Sequence, residues 1–188
     1  FTANYSEKLS ATEKYSLHLK YNDFFSDMKQ FEHNFKVNKK KIRIGYISPD
    51  FRQHAVSYFS YTMLANFNRN VFEVFCYAKG LADDITFKLK AVADKWQNVD
   101  NLEYEDIAKL IYADNIDILV DLAGHTAHSL LPVLAYKPAP LQISGIGYFN
   151  TTGLKTVDYF LTDINCDPIG KNDEFFSEQL LSLEHSHF

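Results

Sequence analysis

Residues 116–126 read Ile116-Asp117-Ile118-Leu119-Val120-Asp121-Leu122-Ala123-Gly124-His125-Thr126. Apart from Asp117, positions 116–120 are apolar on both alternating sets, so an extended segment here is hydrophobic on both faces. Strands of that kind belong to parallel sheets covered by helices on either side. A loop with glycine, histidine and hydroxyl-bearing residues follows directly, as at the carboxyl end of such a strand.

Outward from this run the chain alternates. Strand patterns occupy 41–48, with Ile42, Ile44 and Ile47, then 71–78, 96–99, 141–146, 159–162 and 180–183. Helical spacing lies between them: 55–67 through Val56, Phe59 and Met63; 84–93 through Ile85, Leu89 and Val92; 104–113 through Ile107, Leu110 and Ile111; and 129–136, which stops before Pro138. Asp83-Asp84 reads as a helix start, where negative charge meets the positive end of the dipole. Alternation of this sort predicts an α/β fold, a Rossmann-like doubly wound and mostly parallel sheet with helices on both faces.

Residues 1–38 differ. They are polar and carry no strand pattern, and Ser10 with Glu13 has capping-box spacing, so a helix is predicted to begin near Ala11. Leu17, Tyr21, Phe24, Phe25 and Met28 are expected to form one apolar stripe. Residues 35–41 read as a linker that includes the solvated run Lys39-Lys40-Lys41. The division expected is a helical connecting segment over 1–40 and an α/β lobe over 41–188.

Composition narrows the possibilities. The chain has 188 residues, 46% of them hydrophobic, with 16 Phe and 12 Tyr but only 7 Gly and 5 Pro, which supports a buried core and excludes a fibrous or disordered chain. A net charge of -5 gives no pull toward nucleic acid or an anionic membrane. Cys76 and Cys166 lack CxxC spacing; a buried Cys76 thiol and a reducing, cytoplasmic setting are expected. No apolar run reaches the roughly 20 residues of a membrane span. The start at Phe1 and the end at Phe188 suggest a piece of a longer chain.

In an open parallel sheet, ligands bind beyond the carboxyl ends of the strands. Three loops leave such ends: Ser48-Pro49-Asp50-Phe51-Arg52-Gln53-His54, Asp121 to Thr126, and Gly145-Ile146-Gly147-Tyr148-Phe149-Asn150-Thr151-Thr152-Gly153. If their strands are neighbours, the loops converge and bring imidazoles, carboxylates and hydroxyls to a polar ligand. Asp50 either caps the following helix or serves this site. His54 either bonds a backbone group or takes part in chemistry. His125 and His128 have a spacing that holds metals on helices, but no further Cys or His completes a set, so no metal is expected. Gly145-x-Gly147 lacks the third glycine of a dinucleotide fingerprint, and neither GxxxxGK[ST] nor GxSxG occurs.

These loops also carry a resemblance. The segments Lys41-Ile42-Arg43-Ile44-Gly45-Tyr46-Ile47-Ser48-Pro49-Asp50-Phe51-Arg52-Gln53-His54, Phe72-Glu73-Val74-Phe75-Cys76-Tyr77-Ala78, Asp117 to Thr126, Lys137-Pro138-Ala139-Pro140-Leu141-Gln142, Gly147 to Gly153 and Asp158 to Asp163 resemble, in order, the catalytic region of family-41 O-linked N-acetylglucosamine transferases. The resemblance implies the N-terminal Rossmann-like lobe of a GT-B-type glycosyltransferase. Residues 1–40 would end a tetratricopeptide-like (TPR) region, and a second lobe, absent here, would bind UDP.

The implied reaction moves a sugar, N-acetylglucosamine, from a UDP-sugar to Ser or Thr hydroxyls of proteins with inversion. It needs no metal or other cofactor, and its partners are a polypeptide acceptor and UDP-sugar, with no nucleic acid and no membrane. By carry-over, His54, Asp50 and His18 are the catalytic candidates. Ala55, Val56, Gly124, His125, Thr126, Gly147, Tyr148 and Thr151 are the substrate-binding ones. Family members often have Gly-Tyr-Pro-Gly-Thr at Gly147-Tyr148-Phe149-Asn150-Thr151 and Trp-Leu at Gly145-Ile146, so a reshaped groove is expected. The lobe alone is expected to be inactive, and the alternative is a non-catalytic peptide- or ligand-binding module of the same fold.

Overall fold

A computed structural model describes residues 1–34 and 40–187. Its strands are β1 (Ile42–Ser48), β2 (Phe72–Ala78), β3 (Lys95–Asn98), β4 (Ile118–Asp121), β5 (Leu141–Gly145), β6 (Tyr159–Asp163) and β7 (Gln179–Leu183). Its α-helices are α1 (Ala11–Leu19), α2 (Ala55–Ala65), α3 (Asp84–Val92), α4 (Tyr104–Ala113) and α5 (Leu131–Leu134). The strands form one sheet in the order β3-β2-β1-β4-β5-β6-β7, and every neighbouring pair is parallel. The sheet is therefore wholly parallel, beyond the mostly parallel expectation.

Strand alternation sorts the core into two layers. Ile47, Phe75, Tyr77 and Leu119 face Ile107, Ala108 and Ile111 of α4 and Leu131, Val133 and Leu134 of α5. Tyr46, Val74, Cys76 and Val120 face Val56 and Leu64 of α2 and Leu89 of α3. The Cys76 thiol is fully buried, and desolvation pushes its pKa far above the ordinary thiol range.

Helix starts follow the predicted chemistry. Ser10 and Glu13 close a reciprocal capping box on α1, and Asp83 with Thr86 does so on α3. Asp50 does not cap α2; His54 does, its Nδ1 accepting from the Val56 amide at 3.3 Å.

Three expectations change. The predicted helix over 129–136 is a single turn, because His128 and Lys137 have positive φ at 60° and 53° and bound it on both sides. The strand predicted from 116 begins at Ile118, where pairing with β1 starts at Ile44. The apolar stripe is broken: α1 gives way at Lys20–Phe25 to a 3₁₀ helix, whose threefold period turns Phe24 outward at 80% exposure. Tyr21, Phe25 and Met28 still reach the α4–α5 layer.

The amino-terminal segment packs on the lobe. The Phe31 amide donates to Tyr136 O at 2.9 Å, the Tyr112 hydroxyl to Glu32 O at 3.0 Å, and His33 Nε2 to Lys137 O at 2.7 Å. The Phe31 ring stacks on Tyr112 at 4.4 Å. Most of the linker read over 35–41 lies outside the described residues. Among the described residues no helix is long and apolar enough to cross a membrane.

Leu119 lies fully buried on the central strand β4. Leu119→Ala is expected to destabilise the fold by about 3 kcal/mol, read as a lowered urea midpoint with an unchanged slope.

Candidate functional site

The strand order reverses between β1 and β4, since β2 and β3 extend to one side and β5 to β7 to the other. At such a switch point the loops at the carboxyl ends diverge and leave a crevice. β5 pairs with β4, so all three loops singled out in the sequence share this rim.

The loop after β1 is pinned from several sides. Ser48 Oγ accepts from the Asp50 amide at 3.0 Å, the Ser57 hydroxyl donates to Asp50 O at 2.5 Å, and the Thr86 hydroxyl donates to Phe51 O at 2.7 Å. Phe51 is buried against Trp96 at 5.3 Å. The buried Asp50 carboxylate takes Arg52 Nη2 on Oδ1 at 3.3 Å, and its Oδ2 lies 3.8 Å from His54 Nδ1. The His54 side chain is 42% exposed at the crevice edge.

The loop after β4 is organised by Asp121, which is fully buried. Its carboxylate accepts from the Ala123 and Gly124 amides at 3.2 and 2.8 Å and from the Ser144 hydroxyl at 2.7 Å. Desolvation outweighs these bonds and raises its pKa.

The loop after β5 approaches the other two closely. A Cβ at Gly147 would lie 2.1 Å from Leu122 O and 3.0 Å from Val56 Cγ2, so only glycine fits. Gly124, with φ +53°, packs beneath Tyr148, whose Cβ would lie 2.4 Å from an added Cβ. Between them Ile146 holds a φ of 70° while buried. For a β-branched residue that conformation is strained, and such strain concentrates at ligand-binding loops.

The amino-terminal helix completes the rim. His18 Nδ1 donates to Lys14 O at 2.7 Å, which leaves Nε2 to accept from the Tyr148 hydroxyl at 2.7 Å. Asn4 Nδ2 donates to the same hydroxyl at 2.8 Å. His125 donates from Nε2 to Thr152 O at 2.8 Å, and its ring meets those of His18, Tyr21 and Tyr148 at 5.3, 4.6 and 5.2 Å. Burial lowers both histidine pKa values, that of His125 to about 4.

The model of glycosyl transferase family 41 matches residues 11–188. The chain belongs to glycosyl transferase family 41. A protein of Oryza sativa subsp. japonica named "Probable UDP-N-acetylglucosamine--peptide N-acetylglucosaminyltransferase SPINDLY" is 41% identical over 158 residues, which are 81% of this chain and 17% of that protein. Its namesake in Arabidopsis thaliana is 42% identical over 140 residues, 72% of this chain and 15% of that one. This chain thus spans about one sixth of the length of these curated relatives. Among solved structures, a mutant of Thermobaculum terrenum O-GlcNAc transferase superposes with a TM-score of 0.90 at 32% identity, covering 97% of this chain and 36% of that one.

In this family-41 chain, His54, Ala55, Val56, Gly124, His125, Gly147 and Tyr148 gather at the rim, with Asp50 behind His54. Thr126 Oγ1 donates to Ala123 O at 2.9 Å and closes the β4 loop. Thr151 departs from its expected place. It is fully buried, and its hydroxyl bonds Glu178 at 2.7 Å and Ser177 at 3.0 Å, which shapes the loop. His128 is exposed, with a positive φ of 60° just before the α5 turn.

Sequence reasoning missed Glu178, a buried carboxylate that accepts from the Thr152 amide at 2.8 Å and from both threonine hydroxyls. It also missed Arg52 on Asp50 and Asn4 on Tyr148. No motif marks them, because each acts through a contact distant in sequence or through a common residue type.

Gly147→Ala is expected to push the β5 loop off Leu122 and destabilise the lobe by about 1–3 kcal/mol, measurable by urea denaturation. A second expectation concerns pH. His125 has a folded pKa near 4 against about 6.5 unfolded. Between these values the unfolded chain binds a proton that the fold excludes, so stability falls as pH drops from about 6.5 to about 4. His18 acts in the same direction. Denaturation midpoints across this window are expected to slope less in His125→Gln than in the unaltered chain.

Proposed function

We propose that this chain is the acceptor- and sugar-facing lobe of a longer, two-lobed family-41 enzyme that transfers N-acetylglucosamine from a UDP-sugar to Ser or Thr hydroxyls of proteins, inverting the anomeric carbon. The relatives' names, which specify UDP-N-acetylglucosamine and peptide, support the substrate classes. The observation that carries the reading for this lobe is the convergence of His54, Val56 and Gly147 at the strand switch point.

In the proposed step the acceptor oxygen bonds to the anomeric carbon as the bond to the UDP diphosphate oxygen breaks. The acceptor proton passes to a base, and the diphosphate departs with its charge. His54 is assigned as that base. While its Nδ1 accepts from the Val56 amide, the neutral ring carries its proton on Nε2 and cannot take another there. Moving that proton to Nδ1 and turning it toward Asp50 Oδ2, 3.8 Å away, frees Nε2 for the acceptor. Asp50 is therefore assigned as the residue that fixes the working tautomer.

Gly147, Tyr148, Gly124, His125, Thr126, Ala55 and Val56 are assigned to the walls of the groove. His18 holds the Tyr148 hydroxyl and is assigned to positioning. Diphosphate contacts fall to the second lobe, no metal or cofactor takes part, and the setting is cytoplasmic.

The test is transfer of labelled N-acetylglucosamine to a Ser/Thr-containing peptide by the full-length polypeptide. His54→Ala is expected to lower kcat by 10²-fold or more and Asp50→Asn by less, with UDP affinity unchanged. Undiminished turnover in His54→Ala removes the base assignment. The 188 residues alone are expected to transfer no sugar and to bind UDP too weakly for calorimetry; tight binding contradicts the division of labour between lobes.

A further inference from the structure

Asp163 closes β6 on the same carboxyl edge of the sheet, one strand beyond β5. Its carboxylate divides its work. Oδ1 accepts the amides of Asn165 and Cys166 at 2.9 and 3.0 Å, while Oδ2 faces His187, 3.1 Å from its amide and 2.6 Å from its Nδ1. The two amide bonds hold Asn165 and Cys166 in a turn beside the carboxylate, and the Cys166 thiol is free and exposed. Ligand atoms of Asp163, Cys166 and His187 all lie within 4.8 Å of one another. The residues come from the end of β6 and from the segment that follows β7, two pieces of chain separated by the whole β7 excursion.

We propose that Asp163, Cys166 and His187 bind a thiophilic divalent cation of the zinc class, with the fourth position open to water. One thiolate, one imidazole and one carboxylate form a borderline-soft donor set that suits zinc and not calcium or magnesium. Around a tetrahedral ion with bonds of about 2.0–2.3 Å, neighbouring donors sit about 3.5 Å apart, so on binding His187 Nδ1 and Asp163 Oδ2, now 2.6 Å apart, separate by about 1 Å, while the longer separations in the set, all within 4.8 Å, shorten. Asp163 keeps both amide bonds on Oδ1 and turns Oδ2 to the ion. Cys166 releases its thiol proton to solvent, and His187 binds through an unprotonated ring nitrogen, so affinity falls as pH falls.

The ion takes no part in sugar transfer. It ties the segment after β7 to the sheet edge beside the β5 loop. Neither composition nor spacing announced this set, because His187 lies 24 residues from Asp163.

The test uses the chain with Zn²⁺ and then Co²⁺ as probes. After zinc loading and dialysis against a weak chelator, elemental analysis is expected to find one ion per chain. The cobalt form is expected to show a thiolate-to-metal charge-transfer band. Cys166→Ser and His187→Ala are expected to weaken retention at least tenfold and to abolish the zinc-induced rise in Tm. His185→Ala, at an exposed neighbour, is expected to leave both unchanged.

Cys76 is fully buried and cannot supply the band. Zinc retained no better by the unaltered chain than by Cys166→Ser overturns the site, as does a cobalt form of the folded chain without the thiolate band. Equal loss in His185→Ala overturns it too, by assigning binding to unspecific histidine contacts. If a variant fails to fold by circular dichroism, the cobalt spectrum of the unaltered chain decides.

Discussion

The contact on which the rim depends is a backbone against a backbone. The peptide at Gly147 lies so close to the carbonyl of Leu122 that a methyl group there would sit 2.1 Å from the oxygen. That approach draws the β5 loop over the β4 loop and against Val56 at the start of α2. Without it the three loops would still leave the same sheet edge, but the β5 loop would stand away from His54. Glycine meets the steric demand at Gly147 and Gly124. At Ile146 the chain instead accepts a strained left-handed conformation in a buried β-branched residue, held in place by packing on both sides.

Two buried carboxylates hold this arrangement. Burying a charge is unfavourable unless its oxygens are filled with donors. Asp121 gathers two amides of its own loop and the Ser144 hydroxyl of β5, which joins the β4 and β5 loops. Glu178, just before β7, gathers the Thr152 amide and the hydroxyls of Thr151 and Thr152, which joins the far end of the β5 loop to the sheet's outer strands. The loop is thus anchored at both ends by buried ionisable groups. Thr151 and Thr152 are spent in that anchoring.

Much of this was legible in the sequence, for reasons that differ by element. The β4 run and the helical spacing of α4 were plain because burial on both faces of a strand, or on one face of a helix, leaves a pattern within a few residues. The three loops were legible because parallel topology forces strand ends to one edge. The limits lie where local pattern yields to tertiary geometry. Nothing in residues 129–136 announced that His128 and Lys137 adopt positive φ and cut the helix to one turn. The spacing of Leu17, Tyr21, Phe24 and Phe25 was helical, yet the turn from α to 3₁₀ at Lys20 rotated Phe24 into solvent. Glu178 and Asn4 bond partners 26 and 144 residues away, beyond any local signal.

The same geometry separates the three imidazoles at the rim. His18 is held at both nitrogens, by Lys14 O and by the Tyr148 hydroxyl, so it takes a proton only if that hydroxyl turns its own hydrogen away and accepts instead. His125 donates to Thr152 O and sits among aromatic rings, and burial lowers its pKa to about 4. A base of that strength is nearly fully unprotonated at neutral pH but has little pull on an alcohol proton in the transition state. His54 alone stands with its side chain 42% exposed, its ring anchored at one nitrogen and a buried carboxylate 3.8 Å behind that nitrogen. Packing holds two of the imidazoles in bonds to neighbouring protein groups and leaves the third exposed at the crevice edge.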